Sequence, residues 1–210
     1  MSGSITDCAS TTLGVLAGGQ GRRMGTPKTE IMFHGQPVLE YLLQRLEWPG
    51  PTLLVTAPGR EHPPGWRRFT AEATDPVHND GPLRGILTAI EQSHTNELVV
   101  IPIDMPNVTR ERLTWINSRL QEFSTAAGVM IARTHDGASR IEPFPAAYRC
   151  DAVEELIRAR LRDRHLSLRG LSQCSQINII PAPTDWPEDF WTNLNTPSDL
   201  AEYRMLTGEG

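Results

Sequence analysis

Near the start of the chain, a loop rich in glycines and cations follows a short apolar run. The run Leu13–Ala17 is typical of a buried strand. Two glycines and three cations follow it: Gly18, Gly19, Arg22, Arg23 and Lys28. Glycines let the backbone approach a ligand closely, and cations beside free N–H groups suit a polyphosphate. The loop therefore predicts a nucleotide site, with the N–H groups of residues 17–19 facing the phosphates.

Two better-known phosphate loops do not fit this sequence. A dinucleotide fingerprint that starts at Gly19 would end at Met24 instead of glycine. A P-loop that starts at Gly14 would have Gln20 in place of its lysine. The loop is therefore of another kind, in which Arg23 and Lys28 offset the charge that develops during phosphoryl transfer.

Two further side chains are candidate ligands of a magnesium ion. Asp104 directly follows the apolar run Leu98–Ile103, where a carboxylate reaches the ligand-binding edge of a sheet. Its alternative role is to cap a turn before the next helix. Thr196 before Pro197 predicts a helix N-cap. Asn195 could then reach the metal or the phosphates as a second, neutral ligand.

A second acidic residue is a candidate for base recognition. Gly81 and Pro82 predict the start of a helix, and a helix N-terminus attracts anions and polar base edges. Asp75, in the preceding loop, could accept hydrogen bonds from a guanine edge. A simple turn role for Asp75 stays open.

Strands that alternate with helices predict a three-layer α/β fold, a mostly parallel sheet with helices on both faces. The predicted strands are Leu13–Ala17, Thr52–Ala57, Leu98–Ile103, Gly128–Arg133, Phe144–Tyr148 and Asn178–Pro181. The predicted helices are Pro37–Leu46, Pro82–Gln92, Arg110–Phe123, Asp151–Arg162 (with Asp151 as N-cap) and Pro197–Leu206. The segment Arg60–Asp80 is expected to be loop. We expect one domain over residues 1–210, with residues 1–10 as a disordered tail.

Composition excludes several classes of protein. The net charge of −5 argues against a nucleic-acid binder. Three cysteines without metal-ligand spacing argue against a disulfide framework or a zinc site, so a cytoplasmic location is expected. No apolar run approaches the roughly 20 residues that span a bilayer, so no membrane association is expected.

The segment Leu16-Ala17-Gly18-Gly19-x-x-x-Arg23-Met24-Gly25-x-x-Lys28 resembles the signature of nucleotidyltransferases that join a nucleoside monophosphate to a phosphorylated acceptor. Further segments resemble one branch, the molybdenum cofactor guanylyltransferases: Gly81-Pro82-Leu83-x-Gly85, Asp104-x-Pro106, Glu142-Pro143-Phe144 to Tyr148, Ser167-Leu168-Arg169 and Asn193-x-Asn195-Thr196-Pro197. The similarity runs from about Leu13 to Tyr203.

The resemblance implies a Rossmann-like nucleotidyltransferase that uses Mg²⁺ to transfer GMP from GTP to the terminal phosphate of the molybdopterin cofactor. It implies the following site residues: catalytic Lys28, Arg23 and Asp104; nucleotide-binding Leu16, Ala17, Gly18, Gly19, Lys28, Thr56, Asp75 and Asp104; metal-binding Asp104 and Asn195. The pterin is expected near Arg140–Pro145. Further expected partners are molybdoenzymes or cofactor-insertion chaperones.

Two departures from the branch concern the choice of base. Pro27 stands where the branch has aspartate, which is more typical of cytidylyltransferases, whereas Gly18-Gly19 favours guanylyl transfer. Thr56 stands where an asparagine is expected to contact the nucleotide. A sibling transferase that uses CTP or a sugar 1-phosphate is one alternative. The other is a nucleotide-binding adaptor that delivers the cofactor to apo-molybdoenzymes.

Overall fold

A computed structural model describes residues 8–19, 23–59, 61–77 and 80–208. A seven-stranded sheet within them is formed by β1 (Thr11–Leu16), β4 (Thr52–Thr56), β5 (Ala71–Thr74), β6 (Glu97–Pro102), β7 (Gly128–His135), β8 (Ala138–Arg149) and β9 (Ile177–Pro181). Its order is β5-β4-β1-β6-β8-β7-β9. A small hairpin consists of β2 (Met32–Phe33) and β3 (Gln36–Pro37). The large sheet is parallel except for β8, which pairs antiparallel with both neighbours.

Helices cover both faces of this sheet. They are α1 (Val38–Leu46), α2 (Gly81–Gln92), α3 (Arg110–Glu122), α4 (Cys150–Arg162) and α5 (Pro197–Thr207). The buried side chains of α1 and α3, together with Tyr203 of α5, share a core with one face of the sheet. Those of α2 and α4 share a core with the other face. The predicted three-layer α/β architecture is therefore confirmed.

The central strand β6, which leads to Asp104, is buried in both cores of the sheet. Its residues 98–101 are fully buried, with side chains alternating between the two cores. Burial of one such aliphatic side chain contributes about 1.5–3 kcal/mol. The strand predicted from the apolar run Leu98–Ile103 is therefore buried on both faces, because its side chains enter the cores on the two sides of the sheet.

Several local predictions need correction. The segment expected to be loop contains the edge strand β5, whose half-exposed sequence Ala-Glu-Ala-Thr gives no apolar signal. Arg149, not Asp151, is the N-cap of α4, so Asp151 lies in its first turn. Residues 8–10 form a 3₁₀ helix with Cys8 buried, so they are not a disordered tail. Residues 1–7, Arg22, Arg60 and Asn79 lie outside the described residues.

In the part of the chain that the structure describes, no helix is long and apolar enough to cross a membrane. All three cysteines are free thiols. Cys8 and Cys150 are buried, and burial raises the pKa of the Cys150 thiol to about 11.

Gly128 is expected to be needed for packing between β7 and β8. It lies directly opposite Tyr148, and a Cβ at this position would lie 2.6 Å from the Tyr148 ring. Because the ring is fully buried, Gly128→Ala is expected to lower the free energy of unfolding by about 1–3 kcal/mol. Urea denaturation measures this change. Gly19→Ala is the control, since no atom lies within 4 Å of its Cβ position. Equal midpoints for the two variants would contradict the packing argument.

Candidate active site

A cavity of about 470 Å³ opens where the parallel strands β1, β4, β5 and β6 end. This is the edge at which open α/β sheets bind ligands. The loops after these strands and the first turns of α2 supply most of its walls. Its lining residues include Leu16, Gly18, Gly19, Lys28, Ala57, Asp75, Gly81, Arg84, Gly85, Asp104, Phe144 and Asn193. The volume suits a small-molecule ligand.

The fold itself does not require glycine at the two positions after β1, which border this cavity. A Cβ at Gly19 would meet nothing within 4 Å, and one at Gly18 would make only ordinary contacts, the nearest at 3.6 Å. Neither residue has a positive φ. Their lack of side chains is therefore explained better by close approach of a ligand than by backbone geometry.

Gly18→Ala is accordingly expected to weaken nucleotide binding without unfolding the protein. The added methyl group enters the space beside the phosphates, and a loss of about tenfold in affinity corresponds to about 1.4 kcal/mol. Calorimetric titration with a nucleoside triphosphate measures the affinity, and thermal unfolding checks the fold. Unchanged affinity would show that the phosphates do not lie against this glycine.

The N–H groups of the loop are not all available to phosphates. The N–H of Ala17 donates to the carbonyl of Val55 at 2.8 Å, so it extends the sheet instead. Ala17 is 2% exposed and does not line the cavity. The prediction that its N–H faces the phosphates is therefore wrong. Gly18, Gly19 and the side chain of Leu16, by contrast, line the cavity.

Lys28, Asp104 and Asn195 meet although they are far apart in sequence. The Lys28 Nζ contacts Asp104 Oδ2 and donates to Asn195 Oδ1 at 2.9 Å. The backbone fixes the arrangement, because the N–H of Leu194 donates to the Asp104 carbonyl at 2.9 Å and Ile103 N–H donates to Leu16 at 3.0 Å. The Lys28 and Asp104 side chains are only 12% and 14% exposed. These three predicted residues therefore form one partly buried cluster beside the cavity.

Asn195 is positioned by the cap of α5. The Thr196 hydroxyl accepts from the N–H of Asp199, and the Asp199 carboxylate accepts from the N–H groups of Asn195 and Thr196 at 2.8 and 2.9 Å. The predicted N-cap at Thr196 is confirmed as a full capping box. Hydrogen bonds from Asn195 and Thr196, and the nearby charge of Arg23, hold the pKa of Asp199 below its usual value.

The cluster fits a magnesium ion by its donor chemistry. Asp104 and Asn195 present a carboxylate and an amide oxygen, and Asp104 Oδ1 is buried with no hydrogen-bond partner among the described residues. Within the same part of the chain, no three His, Cys, Asp or Glu side chains come together as a metal site. Mg²⁺ is commonly held by one or two such ligands together with substrate phosphates.

Arg23 and Thr56 lie away from the cavity walls. Arg23 is exposed, and its charge acts on Asp199 at the start of α5. Thr56 is buried, and its hydroxyl lies 3.4 Å from the Ala73 carbonyl and 3.3 Å from the Thr74 hydroxyl. Thr56 therefore links β4 to β5, and the prediction that its side chain contacts the nucleotide is wrong. The threonine lies in a strand, whose side chains alternate in direction, and its neighbours Val55 and Ala57 line the cavity.

Asp75 lies at the far end of the cavity with an unsatisfied carboxylate oxygen. Its Oδ1 is buried and lacks a partner in the described chain. Burial raises the pKa of Asp75, opposed by a hydrogen bond from Thr88 and the charge of Arg84. Its Oδ2 lies 3.7 and 3.8 Å from where Cβ atoms of Gly18 and Gly85 would be, so the carboxylate lies next to both glycines. An unpaired buried acceptor is costly unless a ligand donates to it.

Arg84 is a cavity residue that the sequence did not reveal. It lies one helical turn after Gly81, on the side of α2 that faces the cavity. Its guanidinium donates to Thr88 at 3.3 Å and to Glu91 at 2.6 Å. The available signal was its spacing of three residues from Gly81, which puts the two on one helix face.

The fold and this cluster define a class of protein. A mostly parallel sheet carries a glycine loop, a lysine and an aspartate at the edge where phosphates bind, an arrangement suited to nucleotidyl transfer. A family model described as the MobA-like NTP transferase domain matches residues 13–175. The chain belongs to this family and is a nucleotidyltransferase enzyme.

Relatives cover almost the whole chain. A protein from Thermococcus kodakarensis, named probable molybdenum cofactor guanylyltransferase, is 32% identical over 197 residues, 92% of each chain. A Thermococcus sibiricus protein of the same name is 27% identical over 90% of this chain and 95% of its own. The crystal structure of molybdopterin-guanine dinucleotide biosynthesis protein A from Archaeoglobus fulgidus is similar with a TM-score of 0.72 and 24% identity, over 95% of this chain and 100% of that one. It confirms the nucleotidyltransferase fold.

Proposed function

We propose that this enzyme transfers GMP from GTP to the terminal phosphate of the molybdopterin cofactor and releases pyrophosphate. The observation that carries the proposal is the cluster of Lys28, Asp104 and Asn195 beside a cavity whose far end holds the unpaired carboxylate of Asp75. The names of the relatives support the choice of substrates. Delivery of the product to molybdoenzymes or cofactor-insertion chaperones, in the cytoplasm, belongs to the same proposal.

The reaction needs no general base. An oxygen of the acceptor phosphate forms a bond to the α-phosphorus of GTP, and the bond from that phosphorus to the pyrophosphate oxygen breaks. A phosphate monoester has a second pKa of about 6, so the attacking oxygen is largely ionised at neutral pH. The chain must therefore align two anions and offset their charge.

The described residues divide this work between them. The N–H groups of Gly18 and Gly19 hold the triphosphate, and the Lys28 ammonium stabilises negative charge as the pyrophosphate departs. Asp104 and Asn195 would hold Mg²⁺, which supplies Lewis-acid stabilisation of the phosphate oxygens when bound. Arg23 adds positive charge at the exposed side of this cluster, near Asp199.

The base is placed at the Asp75 end of the cavity. A carboxylate accepts two parallel hydrogen bonds from the N1–H and N2–H groups of guanine, whereas the corresponding edge of cytosine offers one donor, the N4 amino group, beside acceptors at N3 and O2. The unpaired Asp75 Oδ1 therefore favours guanine. Of the two departures that concern the choice of base, Thr56 turns away from the cavity. The case for CTP therefore depends on the other one, Pro27.

Asp75→Asn is expected to stabilise the free protein and to weaken GTP binding. Burial raises the folded-state pKa of Asp75 above the unfolded value of 3.8. The free energy of unfolding therefore decreases as the pH rises through the folded-state pKa, and above it the protein bears the full cost of the buried charge. The variant is therefore expected to melt at a higher temperature than the natural protein at pH 7, with a difference that shrinks as the pH falls toward 4. Melting curves with and without GTP measure both effects. A variant that is less stable at pH 7 would contradict the burial argument.

The acceptor is placed beside the β8 segment of residues 140–145. Phe144 lines the nucleotide cavity, while Arg140 and Ile141 line a second groove of about 980 Å³. The other arginines of this groove are Arg160, Arg164 and Arg169, and no Asp or Glu of the described residues lines it. Arg164 also pairs with Asp80 of the nucleotide cavity at 2.7 Å, so the two spaces adjoin. Such a groove suits an anionic acceptor.

A nucleotide panel tests the proposed function. The purified enzyme is incubated with Mg²⁺, molybdopterin cofactor and each nucleoside triphosphate in turn, and pyrophosphate is measured. We expect pyrophosphate to be released with GTP and with no other nucleotide. GTP is also expected to raise the melting temperature, whereas CTP is not. Release with CTP alone would establish the cytidylyl alternative. Cofactor binding without release from any nucleotide would favour an adaptor.

A further inference from the structure

Lys28 is the only lysine in a chain that has 19 arginines. The two cations are not equivalent, because an ammonium is a compact charge on a flexible four-carbon stem and a guanidinium is a planar fork. Every other cationic side chain of this protein that is always charged is arginine. The exception lies in the cluster with Asp104 and Asn195, which suggests that this position needs a charge that can move between partners.

The ammonium occupies the place that a metal ion would need. Its Nζ contacts Asp104 Oδ2 and Asn195 Oδ1, while Asp104 Oδ1 has no partner among the described residues. A metal ion held by both side chains must therefore take Asn195 Oδ1 from the ammonium. A lysine and a divalent cation cannot both lie against the same pair of oxygens. The contact is also sheltered, since the Lys28 and Asp104 side chains are 12% and 14% exposed. Water screens such a pair weakly, and removal of the ammonium leaves the carboxylate uncompensated.

We infer that Lys28 is a displaceable cation. It holds Asp104 and Asn195 together in the free enzyme, and it moves to the phosphates when a metal-bound nucleotide arrives. The inference rests on the magnesium site of the proposed function. The free enzyme then binds a divalent cation weakly, because the metal must first displace the lysine. The triphosphate offers the ammonium another anion, so nucleotide and metal strengthen each other's binding, as linkage requires.

Binding of Mn²⁺, followed by electron paramagnetic resonance, tests this competition. Lys28→Met keeps an unbranched side chain that is one atom shorter and removes its charge. Without nucleotide, Lys28→Met is expected to bind Mn²⁺ at least about tenfold more tightly than the natural enzyme. With the non-hydrolysable analogue of GTP that has a methylene group between its α- and β-phosphates, the advantage should disappear. Arg84→Met is the matched control, because it removes a cation from the same cavity without touching Asp104.

A second measurement needs no variant. In protein labelled with ¹⁵N at lysine Nζ, the side-chain ammonium signal comes from Lys28 alone. It is expected to shift when Mg²⁺ and the GTP analogue are added together, and to change much less at the same concentration of Mg²⁺ alone. A signal that keeps its position with both ligands bound would overturn the inference.

The outcomes separate this inference from the proposed function. If the natural enzyme and Lys28→Met bind Mn²⁺ equally without nucleotide, and both bind it with the analogue, the competition is refuted and the metal site stands. If neither protein binds Mn²⁺ even with the analogue, the metal site itself is refuted, and the inference falls with it. If Lys28→Met and Arg84→Met both bind Mn²⁺ more tightly than the natural enzyme and to the same extent, the effect is one of general charge, and the inference is also overturned.

Discussion

Replacement of Asp104 by asparagine is expected to lower the rate of pyrophosphate release by at least about 10³-fold. The change is isosteric, but a neutral amide binds a divalent cation much more weakly than a carboxylate does. It also takes away the counter-charge of the Lys28 ammonium. The fold should survive, because the hydrogen bond from Leu194 goes to the backbone carbonyl of residue 104.

The control for this prediction is Asp136→Asn. Asp136 is an acidic residue in the turn between β7 and β8, and its side chain is 85% exposed. It has a positive φ of 51°, which asparagine tolerates well. The control should keep full activity, and both variants should melt cooperatively. An Asp104→Asn enzyme that turns over GTP and cofactor at the natural rate would refute the proposed mechanism.

Lys28→Arg is expected to lower activity by about 10²–10³-fold although it keeps the positive charge. The planar guanidinium is larger than an ammonium, and its donors cannot converge on Asp104 Oδ2 and Asn195 Oδ1 from a single atom as the Lys28 Nζ does. Activity is therefore expected to fall because the donors are misplaced, since the positive charge itself is kept. Steady-state release of pyrophosphate at saturating GTP measures it.

The reverse swap on an exposed helix face provides the control. Arg162 is 62% exposed and pairs with Glu155 on α4, so Arg162→Lys should leave both activity and stability unchanged. If Lys28→Arg were as active as the natural enzyme, the position would need only a positive charge. The account of Lys28 as a mobile ammonium would then be wrong.

The fold could be predicted from the sequence wherever the apolar pattern of a segment shows that it is buried. The continuous apolar run of β6 and the helical spacing of apolar residues in α1 each identify one element without further context. The strand β5 could not be found in this way, because it forms the edge of the sheet and its side chains stay half-exposed. Residues 138–143 of β8 were also missed, since these exposed and half-buried residues take their conformation from pairing with β7.

The sequence predicted which residues belong to the site but not how their side chains contact one another. Chemistry and position relative to strand ends identified Lys28, Asp104 and Asn195, and the structure brings the three together. The sequence could not show that the Lys28 ammonium bridges the other two, because this depends on the path of three distant segments. It also could not show that Ala17 uses its N–H within the sheet.

A competition between nucleotides tests the central claim most directly. The purified enzyme receives equal concentrations of GTP and CTP with Mg²⁺ and molybdopterin cofactor, and the nucleotide joined to the pterin is identified by mass spectrometry. The guanine dinucleotide is expected as the dominant product, with one pyrophosphate released for each dinucleotide formed. A product that carries cytosine, or consumption of nucleotide without any pterin dinucleotide, would contradict it.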